Sequence, residues 1–296
     1  MRTIQGWVQS HLLDWGKFLT AAIVSDLPWE TLPLRRSRSS GGTGQIFYTT
    51  ALFPWLAKYS GIHQQIWEQK TIEHLPQWIA QHSGNASPGQ TIALDSVRII
   101  EGFGLEVGVS AIVLGQNLQE WIDGTGKTRL DWNAVSKGKG FLVETVSDRA
   151  KLLPHLCALS HTIDRCDQLN QLAWDQNWWS PGNSCPWNLG LTTILDRDKT
   201  ARSLLELWLD LTYALGEKPR HLITGLPRFL EAFETFDRAH AFGGLSRTLN
   251  PASLECYGGL IAATGALLRQ TSLHFQVKIQ IKGYPDLPDR RAIEDF

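Results

Sequence analysis

The sequence predicts an α+β protein: a small α/β N-terminal domain with a short antiparallel sheet, an all-α helical bundle after it, and a C-terminal strand. Three observations predict this. Short apolar runs between residues 91 and 109 are bounded by glycine, as strands are. From about residue 154 to 268 apolar residues recur every three or four positions, the spacing that lines one face of a helix. Between them, residues 124–147 are rich in Gly, Lys and Ser and weak in pattern, which marks a junction. The division that follows is 1–123 for the first domain, 124–147 for a linker and 148–296 for the bundle.

Each element has its own signal. Trp7, Val8, Leu12, Trp15, Phe18, Leu19 and Ile23 form the stripe of an amphipathic helix over 7–25, closed by Pro28 and Pro33. Leu34 to Gly44 carries Arg35, Arg36 and Arg38 among Ser and Gly and reads as a mobile basic loop. Ala51, Leu52, Trp55 and Leu56 predict a second helix, and Trp67, Ile72, Leu75, Trp78 and Ile79 a third. Strands are predicted at Thr91–Leu94, Val97–Ile100 and Leu105–Val109, with Gly102-Phe103-Gly104 turning the last pair. Ser110 is placed to cap a helix through Ile112, Val113, Leu118, Trp121 and Ile122.

In the second half, Pro154 suits the first turn of a helix carrying Leu156, Leu159, Ile163, Cys166, Leu169 and Leu172. A loop over Trp178–Asn183 follows, then a helix through Ala201, Leu204, Leu205, Trp208, Leu211 and Leu215. Another runs from about Pro227 with Leu230, Phe233, Phe236 and His240 on one side. Asn250-Pro251, a cap followed by proline at the first helical position, opens the last helix through Leu254, Tyr257, Ile261 and Leu268. Leu273, Phe275, Val277, Ile279 and Ile281 then alternate with polar residues, the pattern of a half-buried strand able to return to the N-terminal sheet.

Composition narrows the function. With 296 residues, 43% of them hydrophobic, the chain can bury a large core. A formal net charge of -1 argues against a protein that coats nucleic acid over its whole surface, although a local basic patch is compatible with it. No apolar run reaches the length of a membrane span and the first residues lack a signal-peptide pattern, so no membrane association and a cytoplasmic location are expected. Cys157, Cys166, Cys185 and Cys256 lack metal-type spacing and read as buried thiols, so no metal and no cofactor are expected. The 13 tryptophans are mainly core, with some available to an interface with a protein partner.

The order of the later helices, with Leu195-Asp196-Arg197 opening one and Leu226-Pro227-Arg228-Phe229-Leu230-Glu231-Ala232-Phe233-Glu234-Thr235-Phe236 forming the next, resembles the DALR anticodon-binding domain of arginyl-tRNA synthetases. The helix around Leu159–Cys166, with His161 and Arg165, is similar to the opening helix of that domain. The resemblance covers roughly residues 150–270. Tyr48-Thr49-Thr50-Ala51-Leu52, the helix ending at Ile79-Ala80, and the strands and helix up to Ile122 resemble the additional N-terminal domain of the same synthetases, in the same order. The resemblance implies a helical bundle that binds tRNA or another structured RNA. The intervening nucleotide-binding catalytic domain and its two signatures are missing, and residues 124–147 are too few to hold it, so no catalytic residue is expected.

Candidate RNA-binding residues follow from side-chain chemistry placed on that scaffold. Arg35, Arg36 and Arg38 have guanidinium groups able to meet phosphate oxygens, although a run of charge is more often solvated surface. His161, Arg165 and Arg238 lie on predicted helices of the bundle, as RNA contacts or as ordinary surface side chains. Trp178 and Trp179, flanked by Trp174 and Trp187, are candidates to stack on an unpaired base or to pack in the core. Gly124-Thr125-Gly126-Lys127-Thr128 lacks the first glycine and the preceding strand of a phosphate-binding loop and reads as a turn. Asp164 with Asp167, and Glu231 with Glu234, have spacing ordinary on helix surfaces, and Asn85-Ala86-Ser87 reads as a polar loop. The expectation is a non-catalytic RNA-binding protein; the alternative is a protein–protein adaptor on the same scaffold.

Overall fold

The computed structural model describes residues 3–20, 27–37, 45–83, 97–124, 146–179, 187–216, 221–240 and 251–281. Helix α1 (Ile4–Thr20) is followed by a single 3-10 turn, strands β1 (Leu34–Arg36) and β2 (Ile46–Thr50), and helices α2 (Leu52–Ser60) and α3 (Gln64–Ser83). Strands β3 (Val97–Ile100) and β4 (Gly104–Val109) lead to α4 (Ala111–Gly124). Beyond it lie α5 (Val146–Asp175), α6 (Trp187–Arg197), α7 (Lys199–Gly216), α8 (Leu222–His240) and α9 (Pro251–Ile281). The protein is α+β: mostly helical, with a four-stranded sheet near its N-terminus. No helix among the described residues is long and apolar enough to cross a membrane.

The strands pair antiparallel in the order β1-β2-β4-β3, with Tyr48 opposite Val107 and Ile99 opposite Leu105. Strand β4 is buried throughout because α2 crosses it while α1 and α3 close over Leu105 and Val107. Gly104 is required there. A Cβ at this position would fall 2.0 Å from the Thr50 carbonyl oxygen of the neighbouring strand.

The core is continuous between the sheet-bearing part and the helices that follow. Trp15, Phe53, Trp67, Trp208, Phe229 and Phe236 are fully buried members of one apolar cluster reaching from Ile4 to Leu268. Trp121 of α4 meets Trp208 of α7 edge to face at 5.6 Å, an arrangement worth about 0.5–1.5 kcal/mol beyond its burial. Helix α4 also packs on α6 and α9, and α1 touches α7. Gly115 lets α4 and α6 approach, since a Cβ there would lie 2.1 Å from Cβ of Trp187. The expected linker falls almost wholly outside the described residues, as do the strand expected at 91–94, the glycine motif at 125–128, Asn85, Cys185 and Arg38.

Several expectations are corrected. Residues 34–36 are strand β1, not loop, because Leu34, Arg35 and Arg36 pair with Thr50, Thr49 and Tyr48 of β2. Leu195-Asp196-Arg197 closes α6 rather than opening the next helix, which starts at Lys199. Pro227 and Pro154 lie inside α8 and α5 rather than at their starts. The expected C-terminal strand is helix: α9 continues to Ile281. Extending an existing helix costs no new nucleation, whereas a strand needs a free sheet edge at the right distance. Cys166 and Cys256 are buried as expected, but Cys157 is exposed.

Candidate nucleic-acid interface

Strand alternation assigns opposite roles to the two arginines of β1. Arg35 is exposed, while Arg36 turns inward over α7. Arg36 grips Asp210 through Nε and Nη2, at 3.1 and 2.8 Å, and Nη1 reaches Glu206. Burial opposes its charge, yet Asp210 and Glu206 more than offset this and raise its pKa further. Arg202 joins the network, donating to Glu206 at 3.1 Å and to the carbonyls of Gln45 and Leu195. Arg36 is therefore an anchor between the sheet and α7, already committed to two carboxylates.

On the bundle, Arg165 of α5 makes a two-pronged contact with Asp237 of α8 at 2.8 and 3.0 Å and ties the two helices together. Its side chain stays 40% exposed. Arg238 is 72% exposed and pairs with Glu234 one turn back at 2.7 Å. His161 is exposed on α5. These side chains share their surroundings with acids: along 155–175 and 222–240, Asp164, Asp167, Asp175, Glu231, Glu234 and Asp237 outnumber Arg165, Arg228 and Arg238, and Arg269 of α9 pairs with Asp167. The two helices carry more acid than base, which weakens phosphate contacts made there.

Trp178 and Trp179 are buried, which removes them as stacking platforms for a base. The cause is local. Helix α5 ends with Asn177 in the left-handed conformation, φ 55°; its N–H donates to Trp174, and Trp178 N–H donates back to Ala173 at 3.0 Å. This helix-ending motif turns the chain under and favours an apolar residue at the next position. Trp179 then lies against Gly258 of α9, where a Cβ would come within 2.5 Å of it. Trp187 is buried as well, its indole N–H donating to Gln119 at 3.2 Å. Trp174, 54% exposed on the last turn of α5, is the tryptophan of this group that faces solvent.

One polar cluster had no counterpart in the sequence reading. Asp198 lies in the single-residue gap between α6 and α7, His240 ends α8, and Tyr257 faces them from α9. Its members are separated by 42 and 59 residues, and the only local signal is an Asp before a helix start. Elsewhere, an apolar crevice of about 20 Å³ lies between α1, α3 and the sheet. It is lined by Trp7, Trp15, Leu75, Trp78 and Val107, with His11 its one titratable side chain. No group of three or more His, Cys, Asp or Glu among the described residues is arranged to hold a metal ion.

Comparison of the chain with protein-family models, with curated proteins and with solved structures finds no match.

Proposed function

We propose that this chain is a non-catalytic protein that binds structured RNA of the tRNA class, using a scaffold of the kind found at the two ends of an arginyl-tRNA synthetase. The observation that carries the reading is architectural. A sheet-and-helix unit is followed by bundle helices α5–α9, and α8 buries the Leu226, Phe229, Phe233 and Phe236 row that bears the resemblance. A scaffold without the intervening catalytic domain can hold RNA but has no site at which to activate an amino acid.

Electrostatics limits the grip. Arg36 and Arg165 are held by two-pronged contacts with carboxylates, so phosphate contacts fall mainly to Arg35, Arg38 and Arg238, whose pairing with Glu234 is solvent-exposed and exchangeable, with His161 as a further donor. About three phosphate contacts give a slope of log affinity against log salt of about -2 to -3. Fluorescence anisotropy with labelled bulk tRNA at two salt concentrations about fivefold apart should therefore show affinity falling about 25- to 125-fold. The triple variant Arg35→Gln, Arg38→Gln, Arg238→Gln should flatten that slope. Absence of saturable binding at low salt, or an unchanged slope in the triple variant, refutes the reading.

The excess of acid over base on α5 and α8 favours a second reading, in which the scaffold serves as a protein–protein adaptor. Recovery of a stoichiometric protein partner without RNA in a native pulldown would select it over the first.

A further inference from the structure

The junction of α7, α8 and α9 is built around a carboxylate that serves three elements at once. Asp198 Oδ1 caps α7, accepting the backbone N–H groups of Thr200 and Ala201 at 2.9 and 3.0 Å and the Thr200 hydroxyl at 2.7 Å. Its other oxygen accepts the Tyr257 hydroxyl at 2.6 Å and lies 2.6 Å from His240 Nε2. The second ring nitrogen of His240, Nδ1, lies 2.7 Å from the Phe236 carbonyl oxygen. Both neighbours of the imidazole are acceptors, so both contacts are hydrogen bonds only when both nitrogens carry hydrogen. A neutral ring has one N–H and would turn a lone pair toward either the carboxylate or the carbonyl. The rings of Phe236 and Tyr257, 4.5 and 4.7 Å away, enclose the cation, and the end of a helix is the favourable place for it.

We propose that Asp198, His240 and Tyr257 form a pH-operated latch that holds the end of α8 against α7 and α9 while His240 is an imidazolium, and releases it when the ring loses its proton. The charged and titratable groups around the ring favour the closed form. From the α7 side comes Asp198, with Lys199 next to it and exposed; from α9 come Tyr257 and the buried Cys256. On α8 itself Asp237 lies nearby, shared with Arg165 of α5, while Arg238 is exposed and occupied by Glu234. Burial pulls the His240 pKa down, but the Asp198 contact, the Phe236 carbonyl and the charges of Asp198 and Asp237 outweigh it and hold the pKa above the ordinary histidine value. Burial likewise opposes the Asp198 charge, and its contacts with His240, Tyr257, Ala201 and Thr200 hold it below the usual carboxylate range. The Tyr257 hydroxyl is pushed up, chiefly by burial and Asp198, and remains a donor.

A raised histidine pKa gives stability that is complete below the unfolded-state value and is lost as pH rises through the folded-state value. The latch is therefore closed up to and through the ordinary histidine range and opens as pH rises through the raised His240 value. The full chain tests this by amide exchange, comparing protection of the last turn of α8, residues 237–240, with that of its middle, residues 229–233. Taking the ratio within one molecule cancels the intrinsic pH dependence of exchange. In the wild type the ratio should fall between pH 6 and pH 9, by up to about tenfold per pH unit between the unfolded-state histidine value and the raised folded-state value, and level off above the latter. His240→Gln, which cannot titrate, should show a low ratio at every pH, and Tyr257→Phe should keep the pH dependence with a displaced midpoint. A wild-type ratio constant from pH 6 to pH 9 overturns the proposal. So does an NMR titration of the wild-type His240 ring that places its pKa at or below the ordinary histidine value, a readout that stands even if His240→Gln does not fold.

Discussion

Replacing Arg36 by glutamine and, separately, Arg35 by glutamine tests whether neighbouring residues on one strand have been divided between stability and binding. Arg36 is 15% exposed and faces Glu206 and Asp210, whose side chains are 27% and 47% exposed. Removing one partner of a fully buried pair costs about 3–5 kcal/mol, because the other charge is left without compensation. Here Asp210 is half in water and Glu206 keeps Arg202 at 3.1 Å, which reduces the loss to about 2 kcal/mol. With a urea slope of about 3 kcal/mol per molar for a chain of this size, the unfolding midpoint should fall by about 0.7 M. Arg35→Gln, at an exposed position, should stay within about 0.5 kcal/mol of the wild type while weakening RNA binding. A double-mutant cycle of Arg36→Gln with Asp210→Asn should return a coupling of about 0.5–3 kcal/mol. The reasoning fails if Arg36→Gln moves the midpoint by less than about 0.2 M, or if the two single variants are equally stable.

Trp179→Ala should cost about 3–5 kcal/mol in urea unfolding and leave RNA affinity per folded molecule unchanged, because the ring is buried against α9; Trp174→Ala, at an exposed ring, should cost less than about 0.5 kcal/mol. Gly115→Ala should lower the melting temperature, although alanine gains up to about 1 kcal/mol in helix propensity, since the added Cβ collides with Trp187; a rise would show that α4 and α6 separate easily. On the acid side, the depressed Asp198 pKa means stability is present above the unfolded carboxylate value and lost as pH falls through the folded one. Asp198→Asn should therefore flatten the acid arm of a midpoint-versus-pH profile; an identical acid arm in both proteins would remove Asp198 as its source.

What the sequence determined by itself was everything decided within about four residues. The helical stripes of α1, α3, α7 and α8, the strand pair around Gly102-Phe103-Gly104, and the Pro251 start of α9 could all be read from spacing, because neighbours alone impose those conformations. The close of α5 was equally local: Asn177 followed by Trp178 carries the signal that would have buried Trp178, although nothing near it names Gly258 as what Trp179 covers. Where local pattern and context disagreed, context won, as when the alternating residues 273–281 continued a helix already formed from Pro251. The fate of the charged residues was decided only by tertiary structure. Arg36 meets Glu206 across 170 residues and Arg165 meets Asp237 across 72, and no periodicity encodes such a pair. The Asp198–His240–Tyr257 junction has the same origin: three helix termini or faces converge on one carboxylate only after the chain has closed on itself, and burial then raises the cost of leaving any of them without a partner.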